Sequence, residues 1–147
     1  MAKIPNALRE PIGTAFPANV VLVGTIMPDG YVQISPRGST LVFDDETIAF
    51  WDRGSGHTHD NMKDGDKVTL FFRDPELRAS GVLPAGGVAR FYGTVTIHAD
   101  GPTRDAVWDR MIEPEKNADA DKKGRAVLVA IERAEDLKHN PLDLSSA

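Results

Sequence analysis

Asn19-Val20-Val21-Leu22-Val23-Gly24-Thr25-Ile26, Met27-Pro28-Asp29-Gly30 and Tyr31-Val32-Gln33-Ile34-Ser35 spell a β-hairpin in three consecutive pieces. The first is rich in β-branched residues, which pack well on a pleated surface. The second is a turn, since proline presets φ and glycine accepts the left-handed region. The third alternates, with Val32 and Ile34 on one face and Tyr31, Gln33 and Ser35 on the other.

Outward from this hairpin the same grammar repeats. Thr40-Leu41-Val42-Phe43 and Thr47-Ile48-Ala49-Phe50-Trp51 flank the acidic turn Asp44-Asp45-Glu46 and predict a second hairpin. The polar, glycine-rich stretch from Asp52 to Asn61 predicts a loop leading into a short helix, with Thr58 and Asp60 as candidate caps. Lys67-Val68-Thr69-Leu70-Phe71-Phe72-Arg73 returns to strand character and stops at Asp74-Pro75. Residues 81–87 read as a mobile loop. The run Ala89 to Ile97 reads as a strand whose Gly93 marks a bulge or a close backbone approach.

Gly101-Pro102-Thr103 predicts a helix start capped by Thr103, with Val107, Trp108, Met111 and Ile112 on one face that closes an end of the fold. Residues 113–123 are charged and read as exposed connection. Ala126-Val127-Leu128-Val129-Ala130-Ile131 predicts a last, fully buried strand, and residues 132–137 a short terminal helix. Six or seven strands with few helices predict a mainly β fold. A closed or nearly closed antiparallel barrel removes exposed edges, with a sandwich as the alternative.

The chain has 147 residues, a length suited to one domain spanning 1–147. Hydrophobic residues make up 41% and charged residues 27%, which predicts a folded core rather than disorder. A net charge of -5 lacks the positive field that drives nucleic-acid binding, so no nucleic-acid partner is expected. With no cysteine, disulfides, thiolate metal sites and a cysteine nucleophile are excluded, and a cytoplasmic setting is expected. No apolar run approaches the roughly 20 residues of a membrane helix, and the first residues carry no apolar export segment, so no membrane partner is expected.

Polar residues concentrate in two loops, each directly after a strand: Ser35-Pro36-Arg37-Gly38-Ser39 and Asp52-Arg53-Gly54-Ser55-Gly56-His57-Thr58. Anionic phosphate needs cationic donors, hydroxyls and free main-chain N–H groups. Arg37 with Ser35 and Ser39, and Arg53 with His57 and Thr58, supply all three. A helix starting at Thr58 would add its first amides. The competing reading makes both arginines solvated loop residues.

Other chemistries fit less well. His57-x-His59 with Asp60 has ligand types for a metal but no third histidine nearby. Asp44 with Glu46, and Asp52 with Asp60, would have to face each other across a sugar to act as glycosidase carboxylates, and turn acidity explains the first pair. There is neither a G-x-G-x-x-G unit at a strand–helix junction nor a Walker A lysine. Trp51 and Trp108 read as buried aromatics, Trp108 in the core or at a dimer contact.

The ordered set of Pro28-Asp29-Gly30, Val32 to Ser39, Ile48 to Arg53, Thr58-His59-Asp60-Asn61-Met62, Lys67 to Phe72 and Phe91-Tyr92-Gly93-Thr94-Val95 resembles the pyridoxamine 5′-phosphate oxidase-like flavin-binding split barrels over roughly residues 15–100. The resemblance implies a six- to seven-stranded antiparallel split β-barrel of Greek-key type. It implies a homodimer holding FMN in a groove between subunits, and an oxidoreductase acting on a small-molecule substrate. Carried over, Gln33, Ile34, Ser35 and Arg37 run beside the isoalloxazine, Ser39 lies near the phosphate, and Trp51 and Asp52 contact the ring and ribityl chain. His57 and Thr58 stand where the oxidases place basic phosphate ligands, with Arg53 and Asn61 close by. Two cations are thereby replaced, which weakens phosphate binding unless Arg37 and Arg53 compensate.

Flavin performs the redox step itself, so no catalytic side chain is nominated. The positive charge needed near N1 falls to Arg37 or to main-chain N–H groups near Ile34 and Ser35. A deazaflavin coenzyme or haem on a related split barrel, a non-catalytic flavin carrier and an oligonucleotide-binding barrel are the alternatives. Pyridoxamine phosphate oxidation itself is disfavoured, because no second arginine cluster stands near the C-terminus. Arg78 and Arg90, beside the glycine loop, are candidates to face a partner's flavin.

Overall fold

A computed structural model describes residues 2–54 and 56–142 and, for His57 and Thr58, the backbone alone. Seven antiparallel strands form one curled sheet: β1 (Val21–Ile26), β2 (Val32–Arg37), β3 (Leu41–Asp44), β4 (Thr47–Asp52), β5 (Lys67–Arg73), β6 (Val88–His98) and β7 (Arg125–Asp136). Their order is β2-β1-β5-β6-β7-β4-β3. Both expected hairpins are present, as β1–β2 with Ile26 opposite Val32 and β3–β4 with Val42 opposite Ile48.

The sheet is a half-barrel rather than a closed one. Its two edges, β2 and β3, are not hydrogen-bonded to each other and are joined by residues 38–40 alone, so the chain itself spans the split. The turn there is held by Thr40, whose N–H and Oγ1 both donate to the Arg37 carbonyl at 3.2 and 2.7 Å.

Alternation decides what the sheet encloses. Val21, Val23, Val68, Leu70, Phe72, Phe91, Val95, Val129 and Ile131 point inward with Ile48 and Phe50, and the N-terminal Ile4, Leu8 and Ile12 plug this core. The last two flank or lie in a short helix, α1 (Arg9–Gly13). Strand β4 is buried on both faces. Its other face, Ala49 and Trp51, joins Leu41, Val107, Met111 and Ala126 in a second core beneath α4 (Gly101–Arg110). Covering both faces explains why β4 is a continuous apolar run rather than an alternating one.

Gly93 meets both expectations. The register shifts between Tyr92 and Gly93, and a Cβ on Gly93 would stand 2.4 Å from the Ala130 carbonyl oxygen.

Four expectations are corrected. Residues 132–137 continue β7, pairing as far as Asp136 opposite Ala89, because the β6 bulge lets the long ladder bend and run on. The α4 N-cap is Asp100 rather than Thr103. Residues 81–87 follow α3 (Pro75–Ser80) as consecutive turns pinned by buried Leu83, whose N–H donates to Leu77 O at 2.9 Å. Residues 113–123 begin with a helix, α5 (Glu113–Ala118), which buries Glu115.

Candidate functional site

The two polar loops converge at the split. Arg37 ends β2 on its inner face, half-buried, with its guanidinium 5.3 Å above the Phe50 ring. Two residues beyond Phe50 on β4, Asp52 is wholly buried, and exposed Arg53 follows. Ser39 binds the segments together: the Trp51 N–H donates to Ser39 Oγ at 2.8 Å, and Oγ in turn donates to Trp51 O at 3.4 Å. Burial lowers the Arg37 pKa from its ordinary value, Asp52 and Glu115 raise it, and Arg53 lowers it. Arg37 therefore lies within the electrostatic reach of all three, and remains a cation. Among the described residues its Nε has no hydrogen-bond partner and is buried, an orphaned donor.

Asp52 is the hub beneath this mouth. It accepts from His59 Nδ1 at 2.8 Å and Arg125 Nε at 3.0 Å through Oδ2, and from the Gly54 N–H at 3.3 Å through Oδ1. Arg125 also donates to the His59 carbonyl at 2.8 Å. These bonds clamp both ends of residues 53–59, the loop that carries Arg53 into α2 (His57–Asn61). The carboxylate thereby shapes that loop from below.

The remaining predicted residues are dispersed. Gln33 and Ser35 share the inner side of β2 with Arg37 and are half-buried, whereas Ile34 points outward, 66% exposed. Asn61 ends α2, half-buried, with Thr25, Ile26 and Met27 beside it in a common groove. The side chains of His57 and Thr58 lie outside the described residues. Trp51 turns away from Arg37 into the second core. Its ring lies 5.1 Å from that of Trp108, Arg104 sits over it, and Nε1 donates to Asp119 Oδ2 at 2.8 Å. Arg90 is bonded to the Asp136 and Leu137 carbonyls and covers Phe71.

Sequence reasoning missed Glu115, Arg125 and the pairing of His59 with Asp52. For Glu115 a signal existed, because Glu113-Pro114-Glu115 has proline and acidic residues where a helix begins. Arg125 lies 73 residues from Asp52, and no local pattern announces that ion pair.

Beside the split lies a face without cover. Ile26, Val32 and Ile34 are 72%, 62% and 66% exposed, and Val32 and Ile34 share an apolar groove with Leu22 and Phe71. It adjoins a groove of about 480 Å³ that Lys67, Tyr92 and Arg133 edge with polar groups. Contiguous apolar surface of this kind marks interaction sites.

The same architecture occurs in solved structures. HupZ of Group A Streptococcus is 21% identical with a TM-score of 0.69, over 95% of this chain and 98% of that one. An F420 reductase is 20% identical with a TM-score of 0.61, over 90% of this chain and 98% of that one. An FMN-binding protein of Syntrophomonas wolfei is 16% identical with a TM-score of 0.56, over 88% and 86%. A haem-binding protein of Mycobacterium smegmatis, 14% identical with a TM-score of 0.58, is matched over 89% of this chain and 53% of its own. At these identities the likeness establishes fold alone. No curated protein matches the chain. The family described as pyridoxamine 5′-phosphate oxidase matches residues 13–138, from α1 to just past the end of β7. That span takes in every strand, the split and both arginine loops, and the chain belongs to the pyridoxamine 5′-phosphate oxidase family.

Proposed function

We propose that this protein binds FMN and is a flavin-dependent oxidoreductase acting on a small molecule, with the flavin lying between two copies of the chain. The observation that carries the proposal is the meeting of Arg37 and Arg53 at the split, with the Arg37 Nε buried and unpaired. An unsatisfied guanidinium N–H is costly unless an anion or water accepts from it, and a phosphate monoester does so with charge as well as geometry. Arg37, Arg53 and the main-chain N–H groups of Gly56 and His57 would hold the phosphate. β2 is an edge strand, so alternate N–H and C=O groups near Ile34 and Ser35 face away from β1 and are available to a flavin ring. Bound there, flavin supplies electron and hydride transfer, while the chain orients it, excludes water and presents positive charge.

The uncovered face supports the homodimer reading. Ile26, Val32 and Ile34 stand beside the same edge strand, so a second copy seated there would bury apolar surface and close the flavin's open side. The FMN-binding relative supports the cofactor choice, and the F420 reductase and haem-binding relatives define the competing ones.

Purification under native conditions with an absorbance scan, followed by mass analysis of released cofactor, tests the reading. A yellow protein releasing FMN is the expected result. A deazaflavin or haem spectrum would replace the cofactor and keep the site. A colourless protein that binds none of the three when they are added would overturn the proposal.

A further inference from the structure

The anion cradle already contains an anion of the protein's own. Glu115 projects from α5 toward the split, and its Oε1 accepts from Arg53 Nη2 at 3.1 Å. Its other carboxylate oxygen lies against the turn that joins the two edge strands, where a Cβ on Gly38 would stand 2.8 Å from Oε2. The Glu115 side chain is only 9% exposed, against 50% for Arg53, so the carboxylate is the buried member of the pair. Its charge also reaches Arg37. One buried carboxylate thus lies among Arg53, Gly38 and Arg37, where the phosphate reading seats a ligand.

Glu115 differs from the other buried carboxylate nearby. Asp52 receives three donors, two of them charged or chargeable side chains, on a strand fixed in mid-sheet. Among the described residues Glu115 receives one side-chain bond, on a six-residue helix flanked by extended Ile112 and irregular Asp119. The far end of α5 is held through Asp119 and Trp51 Nε1, so it is the first turn, after extended Ile112, that can swing and carry Glu115 with it. A carboxylate held by one half-exposed arginine is the weaker competitor for that arginine when a dianionic phosphate arrives.

We infer that Glu115 is an internal anion that occupies the Arg37–Arg53 cradle, that a phosphate monoester must displace it to bind, and that it thereby sets the site's affinity for phosphorylated ligands. The inference rests on the phosphate reading of the two arginines and adds a specificity-determining residue to it. Glu115 also screens the cradle against weaker anions, because a monoanionic carboxylate ligand offers the arginines no more charge than Glu115 does.

Titrating FMN and riboflavin into wild-type protein and Glu115→Gln, with flavin fluorescence as the readout, separates the possibilities. Riboflavin has the ring and ribityl chain without the phosphate. The variant is expected to bind FMN about tenfold more tightly and riboflavin unchanged. Unchanged or weaker FMN binding in a folded variant, while wild type prefers FMN over riboflavin, overturns the role of Glu115 and leaves the phosphate reading standing. Wild type with no preference for FMN overturns both. Hydrogen exchange on wild-type protein needs no variant to fold. FMN is expected to speed exchange at the Glu115 and Lys116 amides, which donate to the Ile112 carbonyl, and slower exchange there would identify α5 as a fixed wall and end the inference.

Discussion

The two halves of the sheet are finished to different degrees. At β4 and the start of β7 both faces are covered, Asp52 has its donors, and Trp51 packs against Trp108 and Arg104 with its Nε1 bonded. On the β5–β1–β2 side the inner face is packed while the outer face leaves Ile26, Val32 and Ile34 in water, and the edge arginine has an orphaned N–H. One half is complete by itself. In the other, on the function proposed above, a second copy and an anionic ligand supply what is missing, so stability should respond to changes in the first half and binding to changes in the second.

The sharpest test falls on the finished half. Asp52→Ala strips the partner from Arg125, His59 and the Gly54 N–H at once, and leaves a guanidinium and an imidazole over a void. Removing one member of a buried ionic cluster costs about 3–5 kcal/mol, because the remaining charge is left uncompensated. Chemical denaturation should show a loss of that size. Asp52→Asn retains the volume and one acceptor and should lose less. A loss under about 1 kcal/mol for the alanine variant would mean that the clamp on residues 53–59 is not structural.

On the unfinished half the same logic predicts a change in association rather than in folding. Ile34→Lys places a charge in the centre of the uncovered groove, where it costs the monomer nothing because the side chain already faces solvent. Sedimentation equilibrium should show dimerisation weakened by more than about tenfold, with the melting temperature extrapolated to low concentration unchanged. An equal effect on the monomer would show that this face packs within one chain and would remove the contrast between the halves.

The sheet was legible in the sequence because its rules are local. Turn chemistry at Pro28-Asp29-Gly30 and alternation on either side specify a hairpin without reference to the rest of the chain, and Gly93 announced its bulge because a missing side chain is itself a local signal. The partition of β2 was legible too, but its sense was not. Alternation separates Val32 and Ile34 from Gln33 and Ser35, yet it does not say that the apolar pair faces outward, since a partner's surface and a core leave the same mark on a strand. The arginine loops were legible as a pair and their neighbourhood was not. Glu115 and Arg125 reach the site across 62 and 73 residues, through the docking of α5 and the pairing of β7 with β4. Residues 132–137 misled because their charges suit a helix, while the β6 ladder beside them had hydrogen bonds to offer and prevailed.

The smallest expected effect separates the two halves by pH. Burial pushes the Asp119 carboxyl up, but the hydrogen bonds from Trp51 Nε1 and from the Lys123 and Gly124 N–H groups outweigh it and hold its pKa below the ordinary value. A carboxyl whose pKa is lower folded than unfolded binds its proton more readily in the unfolded chain. Its contribution is therefore present above the unfolded pKa, about 4, and is lost as pH falls through the folded value. Asp119 anchors Trp51 and so belongs to the finished half. Wild-type stability should decline as pH drops below about 4 more steeply than that of Asp119→Asn, which lacks the titrating group. Denaturation curves for the two proteins at several acidic pH values should converge as the wild-type carboxyl takes up its proton. Parallel curves would place the acid sensitivity elsewhere, in carboxylates not bound to the second core.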